Sequence, residues 1–79
     1  MNRAPAPLSD LPVGGRARVV ALAASPELAA RLTALGFLPA TEVRCRRRAP
    51  LGDPRVYELR GTQLCLRRSE AERVLVEPT

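Results

Sequence analysis

Asp53, Cys45 and Cys65 are the side chains of this sequence that come nearest to doing chemistry. Asp53 is the one carboxylate inside a glycine- and proline-bounded run, Ala49-Pro50-Leu51-Gly52-Asp53-Pro54. There it reads as the acceptor of an Asx turn ahead of Pro54, with an oxygen ligand for a metal ion as the minor reading. The two cysteines form no CxxC pair, and the chain has no histidine. Structural zinc needs three or four nitrogen or sulfur ligands, which this chain does not offer. Cys45 and Cys65 therefore read as reduced, semi-buried small hydrophobes, a disulfide or redox role being the other reading. Nucleophilic catalysis needs a nucleophile beside a base, and Ser9, Ser25 and Ser69 all sit where turns or helix caps are expected. Gly14-Gly15-Arg16 lacks the length and the lysine of a phosphate-cradling loop. No catalytic residue, no cofactor and no metal site is expected.

What remains is contact chemistry. The chain carries 13 Lys+Arg against 8 Asp+Glu, for a formal charge of +5, and every basic residue is arginine. Arg44, Arg46, Arg47 and Arg48 run along one segment. They read as a solvated face, as a match for an acidic protein patch, or as a phosphate-neutralising stripe for nucleic acid. Stacking on single-stranded nucleic acid needs aromatic side chains, and the chain has only Phe37 and Tyr57. The more telling signal is apolar. Leu35-Gly36-Phe37-Leu38-Pro39 and the Ala49–Pro54 run place large apolar residues inside glycine/proline punctuation, where polar residues are usual. Such loops either bury themselves or present a surface. The expected protein-binding set is Leu35, Phe37, Leu38, Pro39, Leu51 and Asp53, with Arg44 and Arg46 at its rim. The expected site is a groove between a helix C-terminus and the Ala49–Pro54 loop.

The elements that must position these residues follow from local pattern. Arg16 to Ala21 begins with polar/apolar alternation, the period of a half-buried strand. Ser25-Pro26-Glu27 is a helix start: an N-cap, a proline at the first helical position and an acid against the helix dipole. Leu28, Leu32 and Leu35 form an apolar stripe, Gly36 ends the helix and Pro39 forbids its resumption, so a helix is expected over 26–35. Residues 41–48, 55–59, 63–66 and 74–76 read as further strands. Ser69 and Glu72 predict a capping box on a short helical turn within 67–73. Leu8-Ser9-Asp10-Leu11-Pro12 reads as a turn packed by its two leucines. Residues 1–7 read as a disordered tail and 8–77 as one domain. At 79 residues and 46% hydrophobic content, the chain is too small for a second core. It buries roughly 60–65% of its unfolded surface on folding. Five short strands with short connections predict a mainly β fold, a small bent antiparallel barrel. No apolar run reaches the length of a membrane span and no signal peptide is recognisable, so a cytosolic chain is expected.

Taken together, Leu8-Ser9-Asp10-Leu11 with Gly14, Arg31-Leu32 to Gly36, Pro39, Ala49 to Pro54, Leu64 to Arg67, Ala71 and Val76 resemble the FeoA family, small cytosolic proteins of bacterial ferrous-iron uptake. The resemblance runs from Leu8 to Glu77. It implies an SH3-like barrel with a helix inserted after the first strand. It also implies a non-enzymatic accessory role through contact with the membrane ferrous-iron transporter, which carries a cytosolic GTP-binding domain. Recruitment to the inner membrane face would follow, without membrane insertion. A similar SH3-like module occurs in some metal-dependent repressors, so a basic regulatory or nucleic-acid-binding module is the alternative. Groove binding of proline-rich peptides, the usual work of SH3 folds, needs an aromatic-lined groove that one phenylalanine and one tyrosine do not supply. Two departures stand out. The family commonly has glycine where this chain has Ala40, and a positive φ there would strain alanine. Arg55 stands where the family usually has an apolar residue, which implies a more exposed strand end.

Overall fold

The computed structural model describes residues 4–79. Six strands form one antiparallel sheet in the order β1-β6-β2-β3-β4-β5. They are β1 (Ala6–Pro7), β2 (Arg16–Leu22), β3 (Glu42–Arg48), β4 (Arg55–Leu59), β5 (Thr62–Leu66) and β6 (Val74–Pro78). A 3-10 turn covers Leu8–Asp10, helix α1 covers Pro26–Leu35, and a single helical turn, α2, covers Arg68–Ala71. Register shifts between Val19 and Ala21 in β2 and between Cys45 and Arg47 in β3 bend the sheet. Its concave side holds one core, which includes Leu8, Leu32, Phe37, Val43, Tyr57, Leu66 and Val74. No helix among the described residues is long and apolar enough to cross a membrane.

The helix lies over 26–35 as expected. Ser25 Oγ accepts from the Leu28 N–H at 3.3 Å, and Pro26 occupies the first turn. The five expected strands are present. The sixth, β1, falls inside the segment expected to be a tail: Ala6 and Pro7 pair with Val76 and Leu75. A two-residue strand containing proline has no periodicity to read, and proline is tolerated only because β1 is an edge. Of the rest of the expected tail, Ala4 and Pro5 carry no regular structure and residues 1–3 lie outside the described residues. The expected Ser69/Glu72 box is displaced by two residues. Glu70 Oε1 accepts from the Arg67 N–H at 3.0 Å, so the helical turn starts earlier.

Arg55 corrects a second expectation. It is buried, not exposed. Along β4 the core-facing positions are Arg55, Tyr57 and Leu59, so alternation drives Arg55 inward. Its guanidinium is satisfied at the end of the barrel. Nε donates to the Gly52 carbonyl at 3.1 Å and Nη1 donates to the Ser9 carbonyl. Arg55 thus ties the Ala49–Pro54 loop to the 3-10 turn. Tyr57 beside it donates to the Leu8 carbonyl at 3.4 Å. Burial pushes the Tyr57 hydroxyl above its ordinary value, and Arg55 pulls the other way.

Ala40 does adopt φ 69°. With Pro39 before it and the Thr41 N–H donating to the Leu38 carbonyl at 3.1 Å, Leu38–Thr41 has the signature of a type II turn, whose third position favours glycine. Ala40→Gly is therefore expected to stabilise the fold by about 1 kcal/mol, a rise of roughly 4–8 °C in thermal midpoint. A lowered midpoint would mean that the unfolded-state entropy of glycine outweighs the strain.

Candidate functional site

The turn after α1 is the most constrained piece of surface. Gly36 has φ 111°, and an added Cβ there would meet Leu59 Cδ1 at 2.8 Å, so both conformation and space require glycine. The Gly36 N–H donates to Thr33 O at 3.0 Å and the Phe37 N–H to Leu32 O at 3.1 Å. That pair of bonds is the Schellman motif, which lays the residue after glycine against the helix residue five positions back. Phe37 accordingly lies in the core with Leu32, at 0% exposure. It cannot be part of a contact surface in this conformation, and its place among the expected binding residues is withdrawn. The spacing Leu32…Gly36-Phe37 carried this signal, because a hydrophobic contact across a Schellman end is a recurrent accompaniment of it.

Removing Phe37 from the surface leaves Leu35, Leu38 and Pro39. Leu35 is the last residue of the stripe and is 39% exposed, because the stripe turns out of the core after Leu32. Leu38 is half-buried and Pro39 exposed. The turn is held to β2 by two bonds, Ala40 N–H to Val19 O at 2.8 Å and Val19 N–H to Thr41 O at 3.0 Å. These side chains are therefore presented on fixed backbone.

The Ala49–Pro54 loop stands elsewhere. It closes through the Ala49 N–H donating to Pro54 O at 3.0 Å, with an inner turn from the Gly52 N–H to Ala49 O at 2.7 Å. Leu51, at its tip, is 97% exposed. Asp53 does not make the expected local Asx turn. Its Oδ1 accepts from the Arg68 N–H at 2.9 Å, at the start of α2. Asp53 thus acts as a helix cap supplied from across the fold. Asp53→Ala should cost about 1 kcal/mol, seen in the denaturation midpoint, and equally so with or without Fe(II). A midpoint that depends on Fe(II) only when Asp53 is present would make it a ligand.

The two loops do not form one groove. The turn precedes β3 and the Ala49–Pro54 loop follows it, so the seven residues of the strand hold them roughly 20 Å apart. The arginines separate as well. Arg46 sits 3.6 Å from a Glu58 carboxylate oxygen. Arg48 Nη2 donates to the Leu11 carbonyl at 3.0 Å. Arg44 is half-buried beside Glu58 and Arg16. Arg46 and Arg48 of the run are thus engaged within the protein, while Arg47 is exposed. The cysteines are both free, Cys45 buried and Cys65 exposed rather than semi-buried. Sequence reading missed Val13 and Val20, which are exposed large hydrophobics; Val20 follows Val19, the β2 residue that bonds the turn.

The FeoA domain family matches residues 6–78. The chain belongs to the FeoA family. Its fold superposes on a FeoA-like protein from Clostridium acetobutylicum with TM-score 0.90 at 28% identity, covering 98% of this chain and 90% of that one. Stenotrophomonas maltophilia FeoA, solved in complex with zinc, matches with TM-score 0.80 at 37% identity over 90% of this chain and 88% of that one. That protein is described as a unique prokaryotic SH3 domain protein, suggested to act as a bacterial ferrous iron transport activating factor. A manganese-dependent transcriptional repressor shares the fold at TM-score 0.88 and 15% identity, this chain covering 38% of it. At that identity the likeness concerns the fold alone. No curated protein sequence matches significantly. The mainly β, SH3-like architecture and the association with ferrous-iron transport thus stand on family membership.

Proposed function

We propose that this chain is a non-enzymatic accessory protein of bacterial ferrous-iron uptake that works by docking on the membrane ferrous-iron transporter, with the Leu35–Pro39 turn as the contact. Family membership supplies the pathway. The turn supplies the means, and it is the observation that carries the reading. Three apolar side chains, Leu35, Leu38 and Pro39, stand at a helix end that two backbone bonds to β2 hold rigid. Apolar anchors on preorganised backbone lose little entropy on binding, which is what a small contact needs. Leu51 would be a separate, second contact at the far end of β3.

The reading is tested by immobilising the full chain and passing over it solubilised cytoplasmic membranes from a cell that carries this uptake system. Retention of a large membrane protein with a GTP-binding domain is expected. Ferrous-iron uptake in a strain lacking the chain should be restored by the wild-type sequence and not by Leu35→Ser/Leu38→Ser. Full restoration by the folded double variant would place the docking surface elsewhere.

A further inference from the structure

A charged groove of about 290 Å³ opens on the face of β2, β3 and β4 that points away from the core, lined among others by Arg16, Glu42, Arg44, Glu58, Leu59 and Arg60. Arg16 and Arg44 are direct cross-strand partners on β2 and β3, an arrangement of like charges that costs free energy unless something offsets it. The Nε–H of Arg44 is buried and donates to nothing. A buried donor without an acceptor is a cost that a fold normally removes. Glu58 stands opposite Arg44 in register, yet its carboxylate pairs with Arg46. Among the described residues, neither Glu42 nor Glu58 forms an ion pair with Arg16, Arg44 or Arg60. Arg60 enters from the β4–β5 hairpin, where φ 54° at Arg60 and 78° at Gly61 give the two left-handed positions of a type I′ turn.

We propose that this groove receives a carboxylate, an acidic side chain of the protein partner that docks on the adjoining apolar turn. This inference rests on the docking reading above. The continuity runs through Glu42, which lines the groove and begins β3 directly after the Leu38–Thr41 turn. One carboxylate accepts from the Arg44 Nε–H and sits between the Arg16 and Arg44 guanidiniums, with Arg60 as a lid. A phosphodiester chain fits less well. Its successive charges would run onto Glu42 and Glu58, which flank the arginines in the same groove. The partner's recognition segment would then carry an Asp or Glu next to large apolar residues. Carboxylate and apolar anchor together fix orientation, which either alone would leave free.

The test uses ¹⁵N-labelled full-length chain and an N-acetylated, C-amidated tetrapeptide of alternating leucine and glutamate as the probe. Saturable movement of the Arg44 and Arg16 Nε–H signals is expected on the order of 1 mM peptide. Arg44→Gln should weaken the peptide about tenfold, the scale of one charge-assisted hydrogen bond. Arg60→Asn is the variant safe for folding, since Asn-Gly suits a type I′ turn. It should also weaken the peptide, while Arg67→Gln, outside the groove, should not. The same peptide with glutamine for glutamate should not move these signals. Absence of saturable movement, or unchanged affinity in Arg44→Gln and Arg60→Asn, would overturn the proposal. So would stronger movement by an oligonucleotide than by the peptide. The two readings fail separately. Transporter capture that survives Arg44→Gln and Arg60→Asn removes the carboxylate and keeps the turn. Peptide binding without transporter capture keeps the groove and removes the transporter.

Discussion

Phe37→Ala is expected to lower folding stability by about 3–5 kcal/mol. Phe37 is fully buried, and its backbone N–H closes the Schellman end of α1 onto Leu32. Truncation would open a cavity where the helix meets the sheet. Native domains hold a total stability of about 5–15 kcal/mol, and one of this size sits toward the lower end of that range. The variant should therefore show a large drop in denaturation midpoint and a detectably unfolded fraction at ordinary temperature. Phe37→Leu keeps most of the volume and should cost about 1.5 kcal/mol or less. Chemical denaturation followed by circular dichroism separates these cases. A midpoint unchanged by Phe37→Ala would put the ring outside the core and return it to the contact surface. For the same reason Phe37 is unsuited to testing docking: any loss of binding it causes would report unfolding.

The second large effect concerns binding. Leu35→Ser/Leu38→Ser should weaken transporter association by at least about 2 kcal/mol, or roughly thirtyfold. Leu35 is 39% exposed and Leu38 half-buried, so the double variant keeps the Phe37–Leu32 contact and the hydrogen bonds of the turn. Its stability should fall far less than that of Phe37→Ala. Loss of binding in a folded variant is thus separable from loss of fold.

The elements that were legible in the sequence were those whose signals are local. α1 carries its cap, its stripe and its terminator within twelve residues, and it forms over Pro26–Leu35. β4 alternates cleanly over Arg55–Leu59. What escaped depended on partners far away in the chain. β1 exists only because β6 pairs with Ala6 and Pro7. The inward course of Arg55 follows from the β4 register, but its tolerance depends on carbonyls of Ser9 and Gly52 meeting it at the barrel end. Asp53 has a local turn motif available, yet the Arg68 N–H, fifteen residues on, wins its carboxylate. Phe37 is the instructive case. Its Gly/Pro surroundings signal a loop, and that is correct. The inference from apolar loop to contact surface fails for it because the helix-ending motif pulls the residue after glycine inward. Beyond the motif, Leu38 is half-buried and Pro39 exposed. The expected groove shared with the Ala49–Pro54 loop fails for a simpler reason: a whole strand separates the two.

The docking claim is tested most directly by the equilibrium affinity of the folded chain for the full-length ferrous-iron transporter held in lipid nanodiscs, measured for wild type, Leu35→Ser/Leu38→Ser and Leu51→Ser. The account predicts a roughly thirtyfold or greater loss for the turn variant and a smaller loss, of about threefold or less, for Leu51→Ser. Equal affinity of wild type and the turn variant, or a loss confined to Leu51→Ser, would contradict it.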